Sequence, residues 1–598
     1  MILINIFSFI FLFGFFLLCL IGHGIIFKKL FFPSNEITIG EKGIFGFLFI
    51  YILTTISHFF FSISIYFSIF IFLLGFISLI SNQKKLWKIF INLKKLFFFI
   101  IFLSLTTAIT NNLHDDVYLY QLPIINYFQQ FKIIFGVIFL NDYVGQGHSF
   151  YEIMSAMQLP FIGNKAMYLL PVIFLTFFLF HIIESWKKVD YKEFKVFSLL
   201  IFLIFLFRFT RSKEFGTDIP VICLLFLIQI YLIDFLKNKE NSFLFAKSAI
   251  LFTFAVFLKL YAALAIFYIL AFVVIDKNNL IYFFKKKRII CSILLVIFIS
   301  LTKNIITSGC LFYQLKNVCL DNKNYSWSIG NRAANERHAY TSASARGWKA
   351  YLRVIGHSKY IGPNEYLKIS RYNYLKNIIH DKEFERFLVL VSIFIIFLFI
   401  LIFSKEKKAE DEVTFNFKKK INYIILLIAL APALIWIYKI PNLRYGGYAY
   451  LAFLFYAFLD FFKLNINVNF YKLKYFLIIG VIFFSTKNFV RINNEIKKLD
   501  ITQTTYPFAE FENFEFKQYN KNNFIIRKPT VSIWCGNIQM ICASELEAIN
   551  NVYKKNGYIF INGNEDGILK YINRTTFHDL FEMNDNPTQK IRSFNKKL

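Results

Sequence analysis

The sequence predicts an all-α, polytopic membrane protein with a small α/β domain at its C-terminal end. Three observations carry that reading. Of 598 residues, 57% are hydrophobic and 81 are Phe, and mean hydropathy is +0.52. A soluble chain of this length needs polar surface that such a composition does not supply. Apolar runs long enough to cross a bilayer recur from end to end. The formal net charge of +30 is gathered into short Lys-rich loops between those runs, as expected of loops held on the cytoplasmic side against anionic headgroups. In a soluble domain such a charge would point to nucleic acid, and its placement here argues against that partner.

At about 20 apolar residues per crossing, roughly fourteen spans are expected. They centre near residues 12, 51, 70, 103, 173, 201, 228, 250, 268, 297, 395, 430, 454 and 481. Runs 43–80 and 243–275 exceed one crossing, so each reads as a tight helical hairpin. Residues 2–21 have no basic leader and no small-residue cleavage site, and read as a retained span. The chain divides into a transmembrane domain, 1–490, with large outer loops at 110–164 and 307–385, and a domain at 491–598. The latter shows strand-like runs at 524–534 and 558–562 around a helical pattern at 543–555.

Charge assigns the loops to sides. Lys28 and Lys29, Lys84 to Lys95, Lys187 to Lys192, Lys285 to Arg288, Lys405 to Lys420, and Lys472 with Lys474 form the set expected in the cytoplasm. The alternate set holds the polar, motif-like sequence and the tail, and is expected on the outer face. Cys19, Cys223 and Cys291 lie in apolar runs and read as small core residues. Cys310 with Cys319, and Cys535 with Cys542, form two close pairs on the expected outer side, where disulfides persist; the alternative is four unrelated thiols.

Chemistry concentrates after the run 96–109. His114-Asp115-Asp116 places two carboxylates at a membrane boundary, where charge is costly unless it faces water or a polar cavity. A carboxylate there can serve as general base on a hydroxyl. Helical spacing puts Asp116 and Tyr120 on one face, with Gln121 and Pro123 following. His148, in a turn-prone stretch, is either a substrate ligand or a hydrogen-bonded structural residue. The chain has no zinc-type Cys/His spacing, no P-loop and no dinucleotide fingerprint.

The acidic pair with Tyr120 and Leu122-Pro123 behind it resembles the GT-C class of multi-spanning glycosyltransferases. More narrowly, the chain is similar to a bacterial membrane protein group within or near that class. In that group the first loop reads approximately Asp-Thr-Gly-Leu-Tyr-His-Leu, then Gly-Leu-x-Asn-Leu, then Gly-Phe-Asn-Ser-Ser-Trp-Phe. The matching positions are Asp116, Tyr120 and Leu122, then Gly136 and Leu140, then Gly145, Gly147, Ser149, Phe150 and Tyr151; Gln121 stands where the pattern has His. Downstream, Thr217-Asp218-Ile219-Pro220, Lys259 with Tyr261, Lys303-Asn304 through Ser308-Gly309, Tyr313, Trp327 and Pro441-Asn442-Leu443-Arg444-Tyr445 follow in the same order. Trp534-Cys535 and Cys542 resemble its Cys-Trp and Pro-Cys element, while the prolines usual near Cys310 and Leu311 are missing.

The resemblance implies an inverting glycosyltransferase of the bacterial inner membrane. It would move a sugar from a polyprenyl-phosphate donor to a glycan, lipid or protein acceptor on the outer face. Asp116 or Asp115 would be the base. Arg444, Lys303 and Arg211 are candidates to hold the donor phosphate, Arg fitting two oxygens at once; the bland reading of Arg444 is a snorkelling helix-end residue. Tyr445, Tyr120, Gln121, His148, Asp218, Asn304 and Trp327 complete the expected substrate-binding set. A divalent metal can bridge an aspartate to phosphate, though no spacing demands one. Three other readings stay open: a polysaccharide polymerase or ligase using Arg332, Arg337, Arg346 and Arg353 of the long loop; a transporter or lipid flippase; and a non-catalytic scaffold.

Overall fold

The computed structural model describes residues 2–570 other than 111–112, 144–148, 190, 210–211, 213–215, 239–240, 314, 349–350, 353–360, 370–381, 404–414, 462–469, 498–505, 509–510, 512–513, 523, 531–534, 538–540 and 544–545. It is mostly helical, with β-structure in the C-terminal region.

Seven helices among the described residues are long and apolar enough to cross a membrane: Ile4–Phe31, Ile39–Phe60, Ile91–Ala108, Asn164–Lys188, Asp218–Lys237, Lys287–Ser308 and Glu383–Phe403. An eighth crossing requires the pair Leu260–Ile275 and Asn278–Lys285, which is bent by 105°. Fewer full-length spans are thus seen among the described residues than the roughly fourteen spans expected. Ile65–Ile80 and Phe243–Leu258 are apolar but shorter, since a hydropathy window counts apolar residues and not the helical rise that has to cover the bilayer. Both expected hairpins do break. The first opens between Phe60 and Ile65, and the second at Lys259, whose backbone is extended (φ −154°, ψ 126°).

The C-terminal region holds two antiparallel hairpins, β1 (Phe516–Lys521) with β2 (Phe524–Pro529), and β3 (Ile549–Lys555) with β4 (Tyr558–Gly563). The helix expected at 543–555 is corrected to strand β3. A register irregularity between Ile549 and Asn551 turns both Ile549 and Val552 inward. A bulge thus mimics the three-residue spacing of a helix. Asn556 (φ +51°) and Gly557 (φ +79°) close β3 onto β4, and this Asn-Gly pair is a hairpin signal visible in the sequence.

The hairpins are stitched to the loops 110–164 and 307–385. Phe135 donates to the Ile559 carbonyl (3.0 Å) and accepts from Ile561 (2.9 Å). The Tyr127 hydroxyl donates to the Cys542 carbonyl (2.6 Å), and Gly536 N–H to that of Tyr118 (2.9 Å). Glu565 accepts from the N–H groups of Arg332 and Ala333 (2.7 and 3.1 Å), satisfying the open N-terminus of helix Asn331–Ala345.

Cys310–Cys319 and Cys535–Cys542 are disulfides. Cys19 and Cys223 are buried, whereas Cys291 is exposed rather than a core residue; it sits on an apolar flank of its helix with Leu294 and Phe298. Closing loops with separations of 9 and 7 residues stabilises by about 2.5 kcal/mol each. Intact mass of protein taken from its native membrane is expected to rise on reduction by the hydrogens of two bridges. Four alkylatable thiols at these positions before reduction would show that neither bond forms.

Candidate functional site

A cavity of about 230 Å³ opens among helix ends, walled by His114, Arg208, Asp218, Arg386, Arg444 and Tyr448. Each charged side chain arrives from a different element. Arg208 ends the helix Lys192–Arg208, Asp218 begins Asp218–Lys237, and Arg386 lies in the first turns of Lys382–Phe403. Arg444 sits in the tight turn Leu443–Gly447, where its own N–H donates to the Asn442 side chain (3.1 Å). That turn needs Gly446, whose φ is +82° and whose added Cβ would lie 2.7 Å from the Tyr450 ring.

Asp218 is the internal counter-ion. Arg444 Nε donates to its Oδ2 at 2.9 Å, and Lys259 Nζ lies 3.6 Å from its Oδ1, delivered by the break in the second hairpin. A carboxylate at a helix N-terminus is also favoured by the helix dipole. Arg386 pairs with Glu383, which accepts from Leu443 N–H (3.3 Å) and so ties the Arg444 turn to the start of helix Lys382–Phe403. Arg208 bonds the Tyr448 hydroxyl. Among the charged residues that line the cavity, Arg208, Arg386 and Arg444 outnumber Asp218, an excess of positive charge that suits an anion.

His114 joins this cavity to the acidic pair. Its Nδ1 accepts from the Asp116 N–H (3.1 Å) and lies 3.4 Å from Asp116 Oδ2. The Asp116 side chain is 26% exposed. Burial holds the Asp115 carboxyl above the usual carboxylate range, with His114 opposing and Asp116 adding to the shift. Desolvation is thus the first cause of the raised Asp115 pKa, and like charge a smaller one.

The remaining expected site residues scatter. Tyr445 stays close, its ring 5.7 Å from the Arg444 guanidinium and 5.7 Å from the Tyr261 ring. Tyr120 is buried and stacks on Tyr143 (5.1 Å), and Gln121 is buried beside it. Neither lines the cavity. Lys303 does not reach it either; this lysine is buried and pairs with Glu152 at 3.0 Å. Asn304 donates to the Leu311 carbonyl (2.9 Å), bracing the Cys310–Cys319 loop. Trp327 packs edge-on to Phe135 beneath the C-terminal hairpin. His148 and Arg211 lie outside the described residues. Among the described residues, no group of three or more His, Cys, Asp or Glu is placed to hold a metal ion.

Arg208 and Arg386 were missed, though a signal existed. Both are cations at the expected outer ends of apolar runs, the side from which Lys and Arg are otherwise depleted. Charged side chains are also buried inside the bundle. Glu41 accepts from Lys247, from the Tyr231 hydroxyl (2.6 Å) and from Thr38 N–H (2.7 Å), beside a bond between His181 and Thr38 (2.9 Å).

The family model described as a domain of unknown function (DUF8201) matches residues 1–452. The chain belongs to that family. The match takes in His114, Arg208, Asp218, Arg386 and Arg444 and ends before the C-terminal hairpins begin. No curated protein matches the chain, and no solved structure does.

Proposed function

We propose that this DUF8201 member is an integral membrane glycosyltransferase that takes a polyprenyl-phosphate sugar as donor. One observation carries the reading: three arginines, two from helix ends and one from the Leu443–Gly447 turn, converge with His114 on a single cavity, and His114 is followed directly by the two carboxylates. Guanidinium groups at a membrane boundary suit a lipid-borne phosphate leaving group, and Asp116 or Asp115 suits activation of an acceptor hydroxyl. A single base opposite the leaving phosphate gives inversion at the anomeric carbon. The acceptor is a cell-envelope glycan, lipid or protein. The test is sugar transfer from polyprenyl-phosphate donors in membranes containing the chain. No transfer above that of membranes lacking it, across hexosyl and pentosyl donors, would sink the proposal.

The orientation belongs to the same proposal, with about fourteen membrane-embedded helical segments in the bacterial inner membrane and the acidic loop, the arginine cavity and the tail on the outer face. Single cysteines at Asp116 and in the tail, and a reporter after Leu598, are expected to react or report from that face. A cytoplasmic tail would reverse the orientation and remove the site from the face where the donor is used.

The polymerase or ligase reading loses its arginines to structural work. Arg337 is buried, 3.1 Å from Asp142 and sandwiched between the rings of Tyr143 (4.1 Å) and Tyr340 (4.7 Å). Arg332 meets Glu565 and Asp566, Arg346 bonds the Tyr438 carbonyl (3.3 Å), and Arg353 lies outside the described residues. The carrier or flippase reading is favoured by one observation, the ionisable cluster of Glu41, Lys247 and His181 within the bundle. Lipid translocation by protein reconstituted in liposomes, abolished by Lys247→Met, would favour it over transfer.

A further inference from the structure

A second cavity, of about 490 Å³, lies where helix Ile39–Phe60 ends and the C-terminal hairpins dock. Its wall is of two kinds. Phe61, Phe131 and Phe524 form an apolar side, while Lys132, Lys554 and Gln130 supply N–H donors. The parts are held from several directions. Ile63 N–H donates to the Phe128 carbonyl (2.8 Å), His58 Nε2 lies 3.2 Å from that of Phe131, and the Tyr558 hydroxyl donates to that of Phe59 (2.9 Å). Lys132 sits 4.9 Å from the Tyr558 ring centre. Among the described residues, neither Lys132 nor Lys554 has a carboxylate within ion-pair distance. Among the described residues, then, these two lysines share one cavity with no protein counter-anion.

The surroundings identify what supplies it. Phe60, Phe61 and Tyr66, at the break between the two helices, are 65%, 47% and 80% exposed. Of these, Tyr66 next to the end of a membrane-length helix marks the headgroup level of a bilayer, and the two exposed Phe rings extend its apolar surface. An occupant here meets cations and amide donors on one side, and apolar rings continuous with the lipid-facing surface on the other.

We propose that this cavity binds the phosphate of an anionic membrane lipid, with Lys132 and Lys554 on the phosphate and the acyl chains along Phe60, Phe61 and Tyr66. Because Lys132 belongs to the transmembrane domain and Lys554 to strand β3, the bound lipid also bridges the bundle to the C-terminal region. The site is independent of the arginine cavity and stands whether or not the chain transfers sugar.

The test uses the full-length protein in nanodiscs carrying a photoactivatable phosphatidylglycerol, with crosslinks mapped to the peptides around Phe61, Phe524 and Ile559. Crosslink yield is titrated against lipid fraction. Wild-type protein is expected to crosslink there with phosphatidylglycerol in clear preference to a photoactivatable phosphatidylcholine. Each lysine near a charged surface contributes about a fivefold preference, so Lys132→Gln with Lys554→Gln is expected to shift the titration about thirtyfold. Lys132→Arg with Lys554→Arg should restore it, which separates charge from folding, and Lys316→Gln, an exposed loop lysine, should leave it unchanged. Equal labelling by both lipids, no labelling of these peptides, or an unshifted titration in the double Gln variant would overturn the proposal. Displacement by inorganic phosphate at constant ionic strength would also overturn it, by reducing the site to one for a free anion.

Discussion

Asp116→Asn is expected to lower sugar transfer by about 10²–10⁴-fold while the protein still inserts and folds, because the change keeps the shape of the side chain and removes the base. The side chain is partly exposed and its near neighbour is His114 at 3.4 Å rather than a packed core, so the fold should tolerate the change. Arg444→Lys keeps the charge and loses the fork, so donor binding should weaken more than stability does. Arg208→Gln and Arg386→Gln should act in the same direction, as the cavity shares its charge among three guanidinium groups.

The pH profile separates the two acids. Asp115 is the carboxyl held high by burial. If Asp116 is the base and Asp115 a proton-bearing donor, activity falls as pH rises through the raised Asp115 pKa. If the roles are exchanged, activity falls as pH drops through it. For stability the sign is definite: an acid with a raised folded pKa binds its proton more tightly when folded, so its penalty is present above that pKa and disappears below it. Asp115→Asn should remove this limb. Transfer at wild-type rates in both Asn variants, in membranes of matched expression, would leave the acids as a solvated loop.

Lys303→Met is expected to destabilise the protein by about 3–5 kcal/mol, the usual consequence of stranding one partner of a buried ion pair. Lys303 lies 3.0 Å from Glu152, which also accepts from Thr55 (2.9 Å), and neither charged side chain is more than 4% exposed. Methionine leaves the carboxylate with one hydroxyl donor and no cation. Lys303→Met combined with Glu152→Leu should recover most of the loss, since an apolar pair of similar volume is often neutral or better. Thermal denaturation of the purified protein in detergent distinguishes the two. A single variant as stable as wild type would show that Glu152 is neutral or hydrated, and would leave Lys303 free for another role.

The membrane character, the helical breaks near residue 62 and at Lys259, and the two cysteine pairs were legible because each rests on a local signal: apolar run length, a run too long for one helix, or close cysteine spacing. The number of full-length crossings was not, since window hydropathy scores a short embedded helix much as it scores a complete span. Strand β3 was misread for an equally local reason, a bulge that gives two inward residues helical spacing. The Asn556-Gly557 turn could have corrected it.

Composition and local pattern alone determined the helical membrane class and the identity of the acidic pair, while Arg444 and Asp218 were singled out by the resemblance to a membrane protein group. Those properties depend on residue type and near neighbours along the chain. Only the tertiary structure decided that Asp218 and Arg444, 226 residues apart, form one ion pair, that Arg208 and Arg386 complete their cavity, and that Lys303 belongs instead to Glu152. A charge near a membrane must find a partner, but which partner it finds is set by how helices pack across long separations. Spacing in the sequence carries no record of that choice.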